Sequence, residues 1–528
     1  MAKVFNPSRT SAASAASLLE AVRALTTRHP LWVLLAVAAL ARLLAVSVRF
    51  VIGTDEGLFL TLGRNLINGL GYTGNGRVVQ VDFPPGFSLF AAAVYALGGW
   101  PELPSQLNVV VIGSLLVLPV YWLARQLTGA PTAFRAGLFT ALLPALVLAQ
   151  GNFESVAEPL YTLLLFTGWA LLWWALAKRR LWAFALAGLA LGAAHLVRWE
   201  GLIMALLGAA AIVLIRRRAA APPVAALLAG LAVFAVPYAA FLYTHTGSVI
   251  SPKAAITRQH AAALAAGGDD PFAYEKAYLT YEAFLAAPKQ APSLPPTDWG
   301  AFLKRYLSNV FVELRLWLTS VSVMALVWIV PALLGAWRLR GWPALYLGLH
   351  LIPLAAIPAS VVDPRYFLPA LPALLILAAV GWNTLHERLT GPGLRRALPA
   401  ALLGLSLALF VLGDLAGPFL FPRALEYRAA GLALRGVLPE GAHVLARKRQ
   451  APFYAGAFWE WLPYADLPGV LAYAQAHDAR YLVVDDATTP TLRPQLAYLL
   501  DPAAAPASLT PLYVSEHGPR VVVYAINQ

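Results

Sequence analysis

The sequence predicts a polytopic α-helical membrane protein with about eleven transmembrane helices, outer juxtamembrane helices and a small C-terminal extracytoplasmic α/β domain. Three observations favour this fold class. The 528 residues are 59% hydrophobic and only 12% charged, with a mean hydropathy of +0.66, which is too apolar for a soluble globular protein of this size. Apolar runs of membrane-spanning length recur from residue 30 to residue 418. Lys and Arg residues gather in the short gaps between those runs, as the positive-inside rule requires.

Composition also excludes several classes of protein and of site. The formal net charge of +13 would suggest nucleic-acid binding in a soluble protein, but here the basic residues follow the membrane topology, so we expect no nucleic-acid partner. The chain contains no cysteine, which excludes disulfides, thiolate catalysis and Cys-ligated zinc. Any extracytoplasmic part must therefore be held together by packing.

The apolar runs define the predicted spans. Leu31 to Ile52 is longer than the hydrophobic region of a signal peptide and has no small-residue cleavage site, so it is predicted to be an uncleaved first span. A double-length run, Leu181 to Ile215, is predicted to form two short helices that turn near Arg198. The other predicted spans, which bring the number to eleven, are Leu107 to Leu123, Ala136 to Ala149, Leu160 to Ala177, Val224 to Tyr243, Leu316 to Trp337, Ala344 to Val361, Phe367 to Leu385 and Leu398 to Leu415.

One apolar stretch, Pro84 to Gly99, has roughly 15 residues and is too short to span a bilayer. We predict that it lies as a helix on the outer surface. The charge distribution provides a check. If this stretch is not counted as a span, 17 Lys and Arg residues but only two acidic residues, Glu20 and Glu387, fall on the N-terminal side of the membrane. Counting the stretch as a span would move the basic triplets 178–180 and 216–218 to the outer side.

This topology divides the chain into a cytoplasmic N-terminus, residues 1–29, a transmembrane domain, residues 30–418, and an extracytoplasmic α/β domain, residues 419–528. Residues 53–106 form a first outer loop, and residues 244–311 form a long outer loop that prolines interrupt. In the C-terminal domain, helix-like and strand-like segments alternate: Ala424 to Leu438, His443 to Arg447, Leu467 to Ala476, Tyr481 to Asp485, Leu512 to Ser515 and Val521 to Ala525. It has no Gly-rich phosphate loop, so we assign it no nucleotide.

An acidic segment, Thr54-Asp55-Glu56, follows the first span directly and opens an amphipathic stretch, Leu58 to Leu70. One interpretation is structural, with Thr54 as the N-cap and two acids that complement the helix dipole. The other is catalytic, because two carboxylates at the mouth of a membrane protein suggest chemistry at the bilayer surface. The position of the segment leaves both open.

Further motifs follow the acidic segment in an order known from one enzyme family. They are Asn65 to Tyr72, Pro84-Pro85-Gly86-Phe87, Pro144, Ser155, Glu158-Pro159, Arg198-Trp199-Glu200-Gly201 and Asp363-Pro364-Arg365-Tyr366-Phe367-Leu368-Pro369. Together they resemble the GT-C membrane glycosyltransferases, specifically the family 39 type that includes the protein O-mannosyltransferases and the lipid A aminoarabinose transferase. The resemblance covers nearly the whole membrane region.

The resemblance implies a transferase that moves a sugar from a polyprenyl-phosphate carrier to an extracytoplasmic acceptor. The general base of the family falls on Asp55, and the acidic residue of its second outer loop falls on Glu158. Its two surface helices match Asp55 to Asn68 and Pro85 to Leu97. One departure matters: the lysine that faces the lipid phosphate in the aminoarabinose transferase is here Phe83, so phosphate contact must come from elsewhere.

These residue types suit the chemistry. A sugar phosphate has an activated anomeric carbon, so transfer needs a base for the acceptor hydroxyl and cations for the departing phosphate. Asp55 would supply the base, and inversion by a single displacement follows if only one carboxylate faces the anomeric carbon. Glu56 or Glu158 would position the acceptor or bind a divalent cation, Mg²⁺ or Mn²⁺, although too few ligands can be placed to assign a metal site.

The candidates for the donor phosphate are the outer-side cations nearest the membrane ends, with one neighbouring tyrosine: Arg365, Arg198, Lys253, Arg258 and Tyr366. Arg365 and Tyr366 match an Arg-Tyr pair that begins a span in the family. The structural alternative for each cation is a side chain that snorkels to the interface. Arg365 has a further alternative as a partner of Asp363, and Arg198 as an ion pair with Glu200.

Two other groups have open interpretations. His245 and His260 would suit zinc, but two separated loop histidines are more often solvated. In the C-terminal domain, the aromatic residues stand between a basic run, Arg447-Lys448-Arg449, and Asp485-Asp486; they are Tyr454, Phe458, Trp459 and Trp461. This region is either a sugar- or acceptor-binding face, or a lid packed on the membrane core with a solvated basic run.

Two other functions remain alternatives to the transferase. A transporter or flippase of lipid-linked sugars needs ionisable groups inside spans, for which only Arg42 and Asp414 qualify, and paired broken helices, which the sequence does not show. A non-catalytic envelope scaffold would use the C-terminal domain to bind partners and leave Asp55 as a helix cap. For the transferase, we expect a polyprenyl-phosphate sugar, membrane lipid and a protein, lipid or polysaccharide acceptor as partners. Richness in Ala, Leu and Pro fits a prokaryote with a GC-rich genome, so the expected location is the prokaryotic plasma (inner) membrane.

Overall fold

The structure is a computed structural model. It describes residues 20, 24–47, 50–147, 157–253, 272, 299–319, 325–359, 364–388, 401–409, 411–412, 415–416, 424–516 and 518–527.

The described membrane part is helical. Its helices are α1 (Pro30–Ser47), α2 (Thr54–Ile67), α3 (Gly86–Ala96), α4 (Leu103–Thr128), α5 (Ala130–Leu142), α6 (Glu158–Lys178), α7 (Leu181–Val197), α8 (Glu200–Arg216), α9 (Ala221–Thr246), α10 (Trp299–Thr319), α11 (Ala325–Leu339), α12 (Gly341–Gly348) and α13 (Leu371–Arg388). Helix α4 contains one π-helical turn, Asn108–Ile112, and 3₁₀ segments cover Leu349–Ala359 and Pro364–Ala370. Residues 24–28 and 401–409 and the short segment Pro144–Val147 are also helical.

Five helices of the described residues are long and apolar enough to cross a membrane. They are Pro30–Ser47, Leu103–Thr128, Glu158–Lys178, Ala221–Thr246 and Arg365–Arg388. Large apolar side chains on α1 and α9 are more than half exposed, among them Leu40, Leu43, Val233 and Val236, and this pattern is typical of surfaces that face lipid. The predicted number of eleven spans stays a prediction.

The predicted spans differ from the helices mainly where proline is dense. The double-length run does break at Arg198, because α7 ends at Val197 and α8 begins at Glu200. The expected span Ala344 to Val361 is instead α12 followed by the 3₁₀ segment Leu349–Ala359, in which Pro353 and Pro358 cannot donate α-helical hydrogen bonds. The predicted span Leu316 to Trp337 overlaps the end of α10 and most of α11, and α10 begins at Trp299, within the expected long loop.

Two short helices precede α4 as predicted. At about 1.5 Å per residue, α2 and α3 are roughly 21 and 16 Å long, well below the ~30 Å of the hydrocarbon core. They pack closely because a Cβ atom at Gly63 would lie 2.8 Å from both Ala91 Cβ and the carbonyl oxygen of Ser88. Only glycine permits this approach, which fixes the direction in which the start of α2 points.

The N-terminus of α2 differs from the expected cap. Gly53, not Thr54, is the N-cap residue, and the Glu56 carboxylate accepts a hydrogen bond from the Gly53 amide at 2.9 Å. Glu56 is fully buried, and this burial raises its pKa to about 8, with smaller upward contributions from Glu102 and Glu158. The side chain of Glu56 therefore caps the N-terminus of its own helix.

The C-terminal domain is a three-layer α/β/α structure. Its elements are α14 (Leu425–Leu434), β1 (His443–Ala446), α15 (Gln450–Ala455), β2 (Phe458–Trp461), α16 (Leu467–Ala476), β3 (Ala479–Asp485), β4 (Leu509–Val514) and β5 (Val521–Ile526). The strand order is β2-β1-β3-β5-β4, with β1 parallel to β2 and β3, and with β5 antiparallel to β3 and β4. Strand side chains alternate between the faces, so Leu445 packs towards α16 and Val444 towards α14. The sequence prediction missed β2 because that strand is short and aromatic.

The C-terminal domain contacts the first outer loop through buried polar groups. Glu102 accepts hydrogen bonds from the Tyr454 hydroxyl and from Arg428 Nε, both at 2.7 Å. Asn75 donates to Glu460 at 3.4 Å, and Phe458 packs on Gly76. These contacts hold the sheet domain against the start of α2.

The buried Glu56 predicts a pH-dependent stability. Its folded pKa, about 8, exceeds the ordinary value of 4.5, so the unfolded chain releases this proton first and stability falls as the pH rises from about 4.5 towards 8. We expect the Glu56→Gln variant, which keeps an acceptor for the Gly53 amide, to be more stable than the parent protein above pH 8 and nearly equal to it below pH 5. Thermal unfolding in detergent between pH 5 and pH 9 measures this difference. The exposed Glu440→Gln is the control, and parallel curves for the parent and Glu56→Gln would contradict a protonated Glu56.

Candidate active site

An open pocket of about 480 Å³ lies between the start of α2, the start of α6, the turn between α7 and α8, and the start of the segment Arg365–Arg388. Six of the eight candidate residues line it: Asp55, Glu158, Arg198, Lys253, Arg365 and Tyr366. They come from five separate parts of the chain. The fold therefore brings into one pocket residues that are up to 311 positions apart in the sequence, since Asp55 and Tyr366 both line it.

Asp55 is held by two arginines, one on each carboxylate oxygen. Arg365 Nη1 donates to Oδ2 at 3.1 Å, and Arg449 Nη1 donates to Oδ1 at 3.3 Å. Asp55 keeps 31% of its side chain exposed, against 3% for Glu158. Of these two carboxylates, Asp55 is thus the one with access to a bound molecule.

The electrostatic surroundings keep Asp55 ionised. Burial alone would raise the pKa of Asp55, but the positive charges of Arg449, Arg365 and Lys253 outweigh that effect and lower the pKa below its ordinary value. Asp55 is therefore a carboxylate at neutral pH. It can accept a proton, and any anion that draws the arginines away would make it a stronger base.

Arg198 is neutralised by two carboxylates. Its Nη1 pairs with Glu158, and its Nη2 lies 2.8 Å from Glu200 Oε1. The guanidinium also lies 5.4 Å from the ring centroid of Tyr366. Arg198 therefore ties α6, the turn before α8 and the segment that carries Arg365 into one rigid wall, which agrees with the structural alternative considered for it.

The side chain of Lys253 lies beside Phe83, the position at which the family resemblance predicts a lysine. Its Nζ is 4.0 Å from the centre of the Phe83 ring, the residue at the place of the family lysine. Burial and the charge of Arg198 lower the pKa of Lys253, while Asp82, Glu200 and Asp55 favour its charged form. An ammonium group thus reaches this wall of the pocket from the segment that follows α9 instead of from the first outer loop.

The remaining candidates have other positions. Glu56 caps α2 and does not line the pocket. Arg258, His260, Asp363 and Asp414 lie outside the described residues. His245 is exposed, and its Nδ1 donates within its own helix to the carbonyl oxygen of Phe241 at 2.8 Å.

Sequence analysis missed Arg449. It treated this residue as part of a basic run in the C-terminal domain, with no contact to the acidic segment. One signal was present, because Arg449 comes two residues after a predicted strand, and the carboxyl ends of strands in α/β domains are preferred binding positions. That rule locates the residue within its own domain but not against Asp55.

The described lining of the pocket offers a divalent cation only carboxylates that already have cationic partners. Its three carboxylates, from Asp55, Glu158 and Glu200, are each paired with a guanidinium. Across the described part of the chain, no group of three or more His, Asp or Glu side chains is arranged to hold a metal ion. The donor set is instead that of an anion site beside a carboxylate.

Comparisons with known proteins agree with the fold. Residues 82–242 match the family model of the dolichyl-phosphate-mannose-protein mannosyltransferases. No curated protein sequence matches the chain.

Three solved structures resemble the chain. ArnT from Cupriavidus metallidurans, bound to undecaprenyl phosphate, has 18% identity and a TM-score of 0.59, over 93% of this chain and 97% of that chain. The oligosaccharyltransferase AglB from Archaeoglobus fulgidus, in complex with an inhibitory peptide and a dolichol-phosphate, has 14% identity and a TM-score of 0.59, over 88% and 70%. The Archaeoglobus fulgidus oligosaccharyltransferase with Zn and sulfate has 15% identity and a TM-score of 0.59, over 86% and 68%. Together with the ordered motifs, these likenesses identify the fold of this integral membrane protein as that of the GT-C glycosyltransferases.

Proposed function

We propose that this protein is a membrane glycosyltransferase that moves a sugar from a polyprenyl-phosphate donor to an extracytoplasmic hydroxyl. One observation carries the proposal: an accessible, ionised carboxylate, Asp55, shares a pocket with Lys253 and Arg365. A base for the acceptor and cations for the leaving phosphate are the two requirements of this reaction. The GT-C fold and the family match over residues 82–242 support the same reaction class.

The reaction is a single displacement. The acceptor oxygen forms a bond to the anomeric carbon while the bond from that carbon to the phosphate oxygen breaks, and the acceptor proton passes to Asp55. The configuration at the anomeric carbon is inverted, because Glu158 and Glu200 are both committed to Arg198 and leave Asp55 as the carboxylate for the reacting centre.

The leaving polyprenyl phosphate gains negative charge, which Lys253 and Arg365 stabilise. The charges of the pocket suit this role. Lining the pocket are three cations, Arg198, Lys253 and Arg365, and three carboxylates, and Arg449 adds a fourth cation at Asp55. Among the described residues, these four cations supply the positively charged donors that an anionic phosphate needs. When the phosphate draws Arg365 from Asp55, the pKa of Asp55 rises and its strength as a base increases.

The carrier and the membrane side follow from the same proposal. ArnT and AglB were solved with undecaprenyl phosphate and dolichol-phosphate, so a polyprenyl-phosphate carrier is the donor class we propose here. The pocket would then face the outer side of a prokaryotic plasma membrane, with the N-terminus cytoplasmic and the C-terminal domain extracytoplasmic, as the basic residues between spans favour. The acceptor is a protein, lipid or polysaccharide hydroxyl. Arg258 remains a candidate for the phosphate, and a divalent cation would have to be held by groups other than the paired carboxylates.

The transporter alternative receives no support from Arg42. This buried arginine of α1 donates to the carbonyl oxygens of Ala141 at 3.1 Å and Thr140 at 3.3 Å, at the end of α5. Its role there is to join two helices.

The first prediction concerns Asp55. In liposomes that contain polyprenyl phosphates carrying labelled mannose, glucose, arabinose or aminoarabinose, we expect the parent protein to release free polyprenyl phosphate with at least one donor when acceptors are supplied. Asp55→Asn, which cannot take the proton, should reduce the rate by at least about a hundredfold. Thin-layer chromatography of the labelled lipid measures the release.

Glu440→Gln, an exposed carboxylate outside the pocket, is the matched control and should retain full activity. Equal release by the parent protein and Asp55→Asn would remove Asp55 from the mechanism. Absence of release with every donor and acceptor would count against the proposed donor class.

The second prediction concerns the ammonium beside Phe83. Lys253→Ala removes a charged hydrogen-bond donor worth about 1.5–3 kcal/mol and should raise the KM for the donor about 10- to 100-fold. The double variant Lys253→Ala with Phe83→Lys should regain most of this loss, because it returns an ammonium to a place 4.0 Å away.

Initial rates at varied donor concentration measure both effects, and Phe83→Lys alone reports any disturbance that the new lysine causes. A double variant no better than Lys253→Ala would mean that Lys253 acts through its contact with Phe83 and not through its charge on the phosphate.

A further inference from the structure

The basic run of the C-terminal domain is only partly exposed, and part of it packs against the membrane domain. It follows β1, and Lys448, Arg449 and Gln450 meet the start of α2. The Gln450 amide donates to the Thr54 hydroxyl at 3.1 Å, and Lys448 Nζ lies 3.4 Å from the same hydroxyl. Arg449 reaches one residue further, to Asp55 Oδ1 at 3.3 Å. Three consecutive residues of one domain thus contact two consecutive residues of the other.

The position of Arg449 is fixed within its own domain. Its guanidinium carbon lies 4.2 Å from the ring centroid of Trp459 on β2, a stacking distance at which a cation and an indole attract. The Trp459 indole is in turn held by a hydrogen bond from Nε1 to the Ala446 carbonyl oxygen at 2.8 Å. Only 14% of the Arg449 side chain is exposed. The sheet therefore presents a rigid cation, not a mobile surface side chain.

The contact between the domains depends on a residue without a side chain. A Cβ atom at Gly57 would lie 3.3 Å from Arg449 Cβ and 3.5 Å from the Arg449 carbonyl oxygen. Gly57 is one turn from the helix start, on the same helix as Asp55. The absence of a side chain at this position lets the backbone of Arg449 approach α2 closely enough for its guanidinium to reach the carboxylate.

The charges that face Asp55 come from three elements. Arg365 and Lys253 belong to the membrane domain, and Arg449 belongs to the C-terminal domain. Asp82 is the nearby acid, and its pKa is raised to about 6, mainly by burial. Arg365 and Lys253 also face the proposed phosphate, whereas Arg449 does not line the pocket. When the phosphate engages the first two cations, Arg449 is the one that stays on Asp55.

We propose that the C-terminal domain completes the active site, with Arg449 as a positioning residue that holds the Asp55 carboxylate in its ionised, correctly oriented state while Arg365 and Lys253 turn to the donor phosphate. This inference rests on the proposed function. It assigns the C-terminal domain a part in the reaction itself and not only in acceptor recognition.

The pH dependence of transfer tests the proposal. An adjacent guanidinium lowers the pKa of an aspartate by about 1–3 units. Asp55 acts only as a carboxylate, so activity is lost as the pH falls through its pKa. Arg449→Gln should therefore move the acidic side of the pH profile of kcat (its acid limb) to higher pH by about one unit or more. It should also lower kcat at neutral pH, because the Asp55 carboxylate loses one of the two contacts that orient it, and leave the donor KM within about twofold. Arg449→Lys, which restores a charge without the planar geometry, should return the acid limb most of the way.

Arg447→Gln is the matched control. Arg447 is two residues away in the same basic run, but its guanidinium lies over Trp461, 5.0 Å from the ring centroid, and the residue does not line the pocket. Its replacement should leave the acid limb and kcat unchanged. An unmoved acid limb in Arg449→Gln would overturn the proposal. A rise in donor KM with that limb unmoved would also overturn it, and would make Arg449 a phosphate ligand.

A second test does not depend on knowing the donor. The chain contains no cysteine, so Gly57→Cys with Arg449→Cys introduces the only pair of thiols. Their Cβ separation of 3.3 Å is close to the 3.5–4.5 Å of disulfides. We expect mild oxidation of the full-length protein in membranes to link the two residues, whereas Gly57→Cys with Arg447→Cys should link poorly. Mass spectrometry of the linked peptides gives the yield.

The two tests separate the possible failures. If the disulfide does not form, the docking of Arg449 on α2 is wrong, whatever the enzyme does. If the disulfide forms and the parent protein transfers sugar, but the acid limb of Arg449→Gln does not move, the proposed function stands and the positioning role fails. If no donor is used, the proposed function itself fails.

Discussion

The ion pairs of Asp55 are the contacts on which the rest of the site depends. One carboxylate oxygen is bound by an arginine of the membrane domain and the other by an arginine of the C-terminal domain. A carboxylate in such a partly buried place would be costly without compensation, because burial disfavours charge. The two guanidiniums supply that compensation and keep Asp55 ionised. The same contacts join the two domains at the point where the chemistry is proposed to occur.

The cations of the pocket fall into two groups: Arg198, which is bound by two glutamates, and Lys253 with Arg365, which face Asp55. Arg198 is bound by both Glu158 and Glu200, and all three are best understood as a brace between helices. Lys253 and Arg365 both face Asp55, a carboxylate that also binds Arg449. An incoming phosphate would attract Lys253 and Arg365 without breaking the ion pairs of Arg198 with Glu158 and Glu200. The site can then bind an anion and gain basicity in one step, while its walls stay in place.

Lys253 brings a positive charge close to Phe83 from a distant part of the chain. The place where the aminoarabinose transferase has a lysine carries a phenylalanine here, and the ammonium of Lys253 lies over the ring of that phenylalanine. Lys253 comes from the segment after α9, far along the chain from the first outer loop. The aromatic ring also favours the charged ammonium, because its face carries negative electrostatic potential.

The sequence by itself determined the class of fold, the break at Arg198, the two short helices before α4, most strands of the C-terminal domain and the identity of Asp55 as the leading candidate. These follow from hydropathy, periodicity and local motifs, which act over a few residues. Only the tertiary structure decided that Glu56 caps its own helix, that Arg198 pairs with two carboxylates, that Lys253 lies over the ring of Phe83 and that Arg449 reaches Asp55. Each of these depends on which side chains meet across long stretches of chain, 394 positions apart for Asp55 and Arg449. Such long-range contacts depend on the packing of whole helices and sheets, including the close approach of Arg449 to Gly57. They leave no local pattern in the sequence.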